Sequence, residues 1–129
     1  MNHSTELLQS PLFQSVAGLA FESVMVTDVT DDHTNSVIIY VNEAFTDLTG
    51  YSADEVLGKT PGLLQGPKTD KAETDRLSDD LKNNRTFHGS TVNYRKDGSP
   101  FNIEWKVSPV MDGAKVTHYV AVQRAVVKI

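Results

Sequence analysis

No cysteine occurs anywhere in the chain. Disulfides, thiolate metal sites and cysteine nucleophiles are excluded together, and the reducing cytoplasm is the expected location. Positive charge is scarce: 12 Lys and Arg stand against 17 Asp and Glu, a formal net charge of −5. That sign argues against a nucleic-acid backbone or an anionic membrane as the partner. No apolar run approaches the roughly 20 residues of a membrane-spanning helix. The segment Met1–Ser10 lacks the basic-then-apolar order of a secretory signal. The four histidines (His3, His33, His88 and His118) do not fall at metal-ligand spacing. Asp28, Asp31 and Asp32 share a turn without a full ligand set, so a solvated acidic loop is expected there. There is no Gly-x-Ser-x-Gly elbow, and Gly58-Lys59-Thr60 lacks the upstream glycine of a phosphate-binding loop. Nothing assembles into a catalytic constellation, so an enzyme is not expected.

What is present suits one domain. The 129 residues are 39% hydrophobic and 22% charged, an ordinary globular balance. Ser10 and Pro11 form a helix start, with Leu12, Phe13, Val16 and Leu19 at helical spacing. That stripe packs on its own domain or docks a second copy. Ser23–Val29 reads as a strand, Thr30–Ser36 as a polar turn, and the unbroken run Val37–Val41 as a central strand buried on both faces. Three short helical pieces follow. Asn42 caps the first and Gly50 ends it; Ser52 and Glu55 have capping-box spacing for the second, which Gly58 ends. Thr69 is expected to cap a longer helix over Asp70–Lys82, mostly solvated, with Leu77 and Leu81 inward.

The last third reads as three antiparallel strands, Thr86–Arg95, Phe101–Val110 and Lys115–Val127. Asp97-Gly98 and Asp112-Gly113 supply the turns. Phe101, Ile103, Trp105 and Val107 alternate with Asn102, Glu104, Lys106 and Ser108. The order predicts an α+β domain: a five-stranded antiparallel sheet with short helices on one face and an N-terminal helix. Residues 1–21 are expected to form the cap helix and 22–129 the domain proper.

Several of these segments together resemble a PAS domain of the light-oxygen-voltage (LOV) type. They are VMVTD (Val24–Asp28), IIYVNEAFTDLTGYSADEVLGK (Ile38–Lys59), LLQGPKTD (Leu63–Asp70), VNYRKDGSPF (Val92–Phe101) and HYVAVQ (His118–Gln123). The Asn-Glu-Ala-Phe and Gly-Tyr-Ser pieces occur in many PAS domains. The Leu-Gln-Gly-Pro-x-Thr-Asp run is more specific to the LOV branch. The resemblance implies a sensory or regulatory module holding a flavin (FMN or a related molecule), with a homodimer or a signalling protein as partner. It disfavours haem, since no histidine lies on Asp70–Lys82. With no output domain in the chain, action through association, or excision from a larger protein, is expected.

Part of the flavin-binding set implied by that resemblance is kept. Asn93 matches an asparagine at the pyrimidine edge of the ring, Gln123 the glutamine that contacts O4 and N5, and Gln65 a glutamine near the ribityl chain. Other positions depart. Pro61 stands where the adduct-forming cysteine would be, and Thr60 replaces an asparagine. Gly62 and Ser78 stand where arginines grip the phosphate. Ile103 replaces the second ring-binding asparagine and Asn102 the tryptophan before it. An imide edge facing Ile103 would go unpaired, at roughly 1–3 kcal/mol. Lys59, Lys68, Lys71 and Arg76 are the candidates to replace a phosphate contact. Read from spacing alone, Asn93 and Gln123 either converge on a ligand or bond each other or solvent on a half-exposed sheet. Trp105 and Tyr119 are core aromatic mass; beside a flavin, Trp105, Tyr94 or Tyr119 would be the electron donor. The alternative is a ligand-free PAS module that dimerises.

Overall fold

Phe101, Ile103, Trp105 and Val107 are all buried, and the residues between them turn away. This alternation sets the two faces of the sheet around which the chain is built. The structure, a computed structural model, describes residues 8–30 and 35–127. Five strands pair antiparallel: β1 (Ser23–Thr27), β2 (Ile38–Val41), β3 (Phe87–Tyr94), β4 (Pro100–Asp112) and β5 (Lys115–Val126). Their order is β2-β1-β5-β4-β3, so the expected α+β architecture is the one observed. Gly98 and Gly113 take left-handed φ values of 86° and 62° at the two hairpin turns, where a side chain would be strained. The β4–β5 pairing slips once, between Val110 and Met111.

The inner face carries the short helices. α2 (Glu43–Thr49) starts where the Phe45 amide donates to Asn42 Oδ1 at 3.1 Å and stops at Gly50, φ 80°. In α3 (Ala53–Val56) the expected capping box forms: the Ser52 amide donates to Glu55 Oε1 at 2.9 Å. A single 3-10 turn, Pro61–Leu64, follows, and then α4 (Lys71–Lys82). Phe45, Val56 and Leu64 are buried in one cluster with Met25, Phe87, Phe101 and Trp105, with Leu77 and Leu81 against it.

Three expectations need correction. β2 is an edge strand, not a central one. Its unbroken apolar run reflects cover on both faces: Ile38 enters the core, and Ile39 and Tyr40 meet the N-terminal helix. Its outer edge is closed by a loop, through Ile38 N to Lys59 O and Gly58 N to Ile38 O, both 2.8 Å. Next, Asp70 rather than Thr69 caps α4, accepting from the Ala72 amide at 2.9 Å. The Thr69 hydroxyl instead donates to Val92 O at 2.6 Å, tying the approach to α4 down to β3. Finally, the stripe on α1 (Pro11–Leu19) divides. Phe13 and Ala17 pack on the outer face with Val24, Val26 and Val120, whereas Leu12, Val16 and Leu19 face solvent. The expected cap segment before Leu8, most of the turn at 31–34 with His33, Asp31 and Asp32, and His3 lie outside the described residues.

Candidate functional site

β5 places Tyr119, Ala121 and Gln123 on the inner face, and β4 places Trp105 and Val107 beside them. In register, Ser23, Gln123, Trp105 and Gly89 form one row across four strands. Above this row α4 runs close to β3. Glu73 Oε2 accepts from the Ser90 amide at 3.1 Å, and Arg76 donates to His88 O at 2.9 Å. The approach needs glycine: a Cβ on Gly89 would collide with Glu73, Phe87 and Arg76. Gly66 is required in the same way, because a Cβ there would collide with the Tyr94 ring. Tyr94 Oη also accepts from the Lys68 amide at 2.9 Å, which fixes the loop between the 3-10 turn and α4.

Between the sheet, the 3-10 turn and α4 lies a cavity of about 320 Å³. That volume falls at the lower end of small-molecule sites, roughly 300–1,000 Å³. Five of the six residues singled out from sequence line it: Thr60, Gln65, Asn93, Trp105 and Gln123. Ile103 does not; it is fully buried in the core, paired in register with Thr91 and Ala125. The departing positions Pro61, Gly62 and Ser78 also line the cavity, as does Tyr119. Tyr94 is not among the lining residues.

The two buried side-chain amides of the site are under-committed. Asn93 is 9% exposed and Gln123 4% exposed, each towards the end of its strand. Gln123 Oε1 accepts from Ser23 Oγ at 3.0 Å, and its Nε2 has no bond to any described residue. The Asn93 side chain has no protein partner among the described residues. Ser36 Oγ is buried, lines the cavity and has no hydrogen-bond partner among the described residues. Ser36 Oγ is a buried group without a partner, and the amides of Asn93 and Gln123 are open toward the cavity, so a ligand with a polar edge could bond all three. Apolar surface from Met25, Leu64, Leu77, Leu81, Val107 and Trp105 surrounds them. Tyr119, whose phenol is pushed up from its ordinary pKa by burial, stays neutral there.

Sequence reading missed Ser23, Ser36, Thr74 and Thr91. Ser23 was legible in part: it is the polar start of an apolar strand, as Gln123 is the polar position near the end of another, and only their pairing makes them neighbours. The proposed phosphate partners fare differently. Arg76 is held by Glu73 at 3.0 Å and Asp80 at 3.9 Å and lies over the Phe87 ring, and Lys71 pairs with Asp75 at 2.8 Å. Lys59 and Lys68 are exposed and do not line the cavity.

The site also bears on a path to the surface. Asn42 Oδ1 accepts from the Val24 and Phe45 amides, at 2.9 and 3.1 Å. Its Nδ2 donates to Ala17 O at 2.8 Å and Glu22 O at 3.1 Å. One buried amide thus joins α1, the link into β1 and the start of α2, one residue from Ser23. No group of metal-ligating side chains and no helix long and apolar enough to cross a membrane occurs among the described residues.

Residues 22–126 match the sequence profile of the PAS domain. The chain is 42% identical over 112 residues to phototropin-2 of Oryza sativa subsp. japonica, covering 84% of this chain and 12% of that protein. It is 33% identical over 108 residues to a blue-light photoreceptor of Listeria monocytogenes, covering 84% and 42%. It superposes on the LOV domain of the blue-light activated histidine kinase of Erythrobacter litoralis with a TM-score of 0.74 at 33% identity, covering 81% of this chain and 94% of that domain. The chain therefore spans less than half the length of the two curated relatives.

Proposed function

Since the chain belongs to the PAS domain family, in its light-oxygen-voltage branch, we propose that it is a sensory module that holds a flavin in the cavity and signals without a thiol adduct. The open amides of Asn93 and Gln123 above an apolar floor carry this reading. An isoalloxazine ring combines a flat apolar body with an edge of alternating donors and acceptors, and each side-chain amide offers one of each. In such a cavity Trp105, Leu64 and Met25 would hold the body of the ring, and Asn93, Gln123 and Gln65 would meet its polar atoms. A bound flavin would supply absorption of blue light and a ring nitrogen whose proton affinity changes with redox state. Pro61 brings no nucleophile to it.

The relay is then a matter of this chain's own hydrogen bonds. Gln123 presents Nε2 as its open group because Ser23 occupies Oε1. Were the atom facing Gln123 to change from acceptor to donor, the amide would turn over. The Ser23 hydroxyl both donates and accepts, so it can serve either orientation. The change then reaches the backbone on either side of Ser23, where Asn42 holds the end of α1.

A second copy of the chain is the partner we propose for the outer face. Leu12, Val16, Leu19, Phe21 and Val122 are exposed beside an apolar groove between α1 and the sheet. A row of alternating sign, Glu22, Arg124 and Glu104, borders them. Arg124 Nη2 meets Glu104 at 2.6 Å and its Nε lies 4.0 Å from Glu22, while His88 meets Glu104 at 2.7 Å. Alternating charges beside an apolar centre suit a self-complementary two-fold contact.

The test of the sensory reading is the absorbance of the purified protein, with and without added flavin. Bound-flavin bands are expected, and Gln123→Leu should keep them while blunting any light-driven change in the protein. A protein that neither carries nor takes up flavin removes the reading, and an unchanged response in Gln123→Leu removes the relay.

A further inference from the structure

The cavity has two polar ends. The sheet end carries the amides Asn93 and Gln123 with the hydroxyls of Thr27 and Thr91. The end beneath the 3-10 turn and α4 carries Gln65 and the hydroxyls of Thr60, Thr74 and Ser78, and Ser36 also lines the wall. Thr74 donates to Lys71 O at 3.1 Å, but Thr60 and Ser78 have no side-chain bond to any described residue. No arginine, lysine, histidine, aspartate or glutamate is among the described residues that line the cavity. The nearest cations on α4 are spent, Arg76 on Glu73 and Asp80 and Lys71 on Asp75. On α4 and its cap the acids Asp70, Glu73, Asp75, Asp79 and Asp80 outnumber Lys71, Arg76 and Lys82, while Lys59 and Lys68 on the flanking loops are exposed and do not line the cavity.

Resting on the flavin reading above, we propose that the cavity selects a flavin with an uncharged polyol tail, riboflavin, over the phosphorylated forms FMN and FAD. Open hydroxyls are the right partners for a polyol, each side able to donate and accept. A phosphate at the same end would find no cation among the residues that line the cavity and would face a helix of its own sign. Thr60, Gly62 and Ser78 are the specificity-determining positions. Gly62 is accessible to change: its backbone is outside the left-handed region, and a Cβ there would touch only Thr60 Oγ1, at 3.7 Å.

The experiment is a fluorescence titration of the flavin-stripped 129-residue protein with riboflavin, FMN and FAD at low and high salt. Riboflavin should bind at least about tenfold more tightly than FMN, a difference equivalent to ~1.4 kcal/mol. The gap should narrow as salt screens the phosphate. Gly62→Arg and Ser78→Arg, singly and together, should each raise FMN affinity and move the ratio toward FMN, and Ser78→Arg should also weaken riboflavin by removing a hydroxyl partner of the polyol. FMN binding as tightly as riboflavin in the unaltered protein overturns the selectivity and leaves the flavin site standing. A preference for riboflavin that neither arginine shifts overturns the assignment to these positions. Failure of all three flavins to bind overturns the selectivity and the flavin reading together.

Discussion

The two faces of one sheet solve opposite problems. On the inner face, polar amides sit among apolar side chains and stay open toward a cavity. On the outer face, apolar side chains sit among charges that are already paired with each other. β5 serves both, sending Tyr119, Ala121 and Gln123 one way and Val120, Val122 and Arg124 the other. The difference shows what each face lacks: hydrogen bonds inside, cover from water outside. A small polar-edged aromatic ring supplies the first, and another apolar surface supplies the second.

Removing the inner wall should have the largest effect. Phe87 is fully buried, 4.8 Å from the Trp105 ring centroid and under Arg76. Phe87→Ala is expected to cost about 3–5 kcal/mol in urea unfolding, whereas the outer substitution Leu12→Ser should stay within ~0.5 kcal/mol. Equal losses would erase the distinction between the faces.

A change to the outer face alone should come next. Val16→Asp with Phe21→Asp places charge in the apolar groove. In light scattering the doubly substituted protein should run as a monomer where the unaltered protein runs as a dimer, with flavin uptake unchanged. An unaltered protein that is already monomeric sinks the two-fold contact.

The smallest effect concerns neither face but the helix between them. Glu55 is held down to about 2 from 4.5, first by its hydrogen bond to Lys96 and then by the Ser52 amide of the capping box. A carboxylate whose pKa is depressed on folding stabilises above its unfolded value and loses that contribution as pH falls toward its folded one. Glu55→Gln should therefore melt slightly lower than the unaltered protein near neutrality. The gap should close between pH 4.5 and about 2. A gap that persists at pH 2 would assign the effect to shape rather than charge.

Local signals were legible wherever a few adjacent residues decide the outcome. The Asn42 cap, the Ser52–Glu55 box, the Asp-Gly turns and the alternation along β4 all appear as read. Signals that depend on tertiary cover were not. Ile38–Val41 reads as central because burial on both faces looks the same whether sheet or helix provides it. Thr69 and Asp70 are both competent caps, and the choice follows from Val92 O being within reach of Thr69. For the site, family resemblance pointed to Asn93 and Gln123, which both line the cavity. Ser23 and Ser36 needed the three-dimensional pairing, because neither belongs to a local motif.

The long β4–β5 hairpin has a use in protein engineering. Residues Met111–Lys115 are exposed at its tip, beyond the slip between Val110 and Met111. A peptide inserted between Asp112 and Lys115 would lie beyond the last β4–β5 pair and leave the pairing of Trp105 with Gln123 in place. The tip is therefore the position at which a reporter or a second domain could be grafted with both faces left intact.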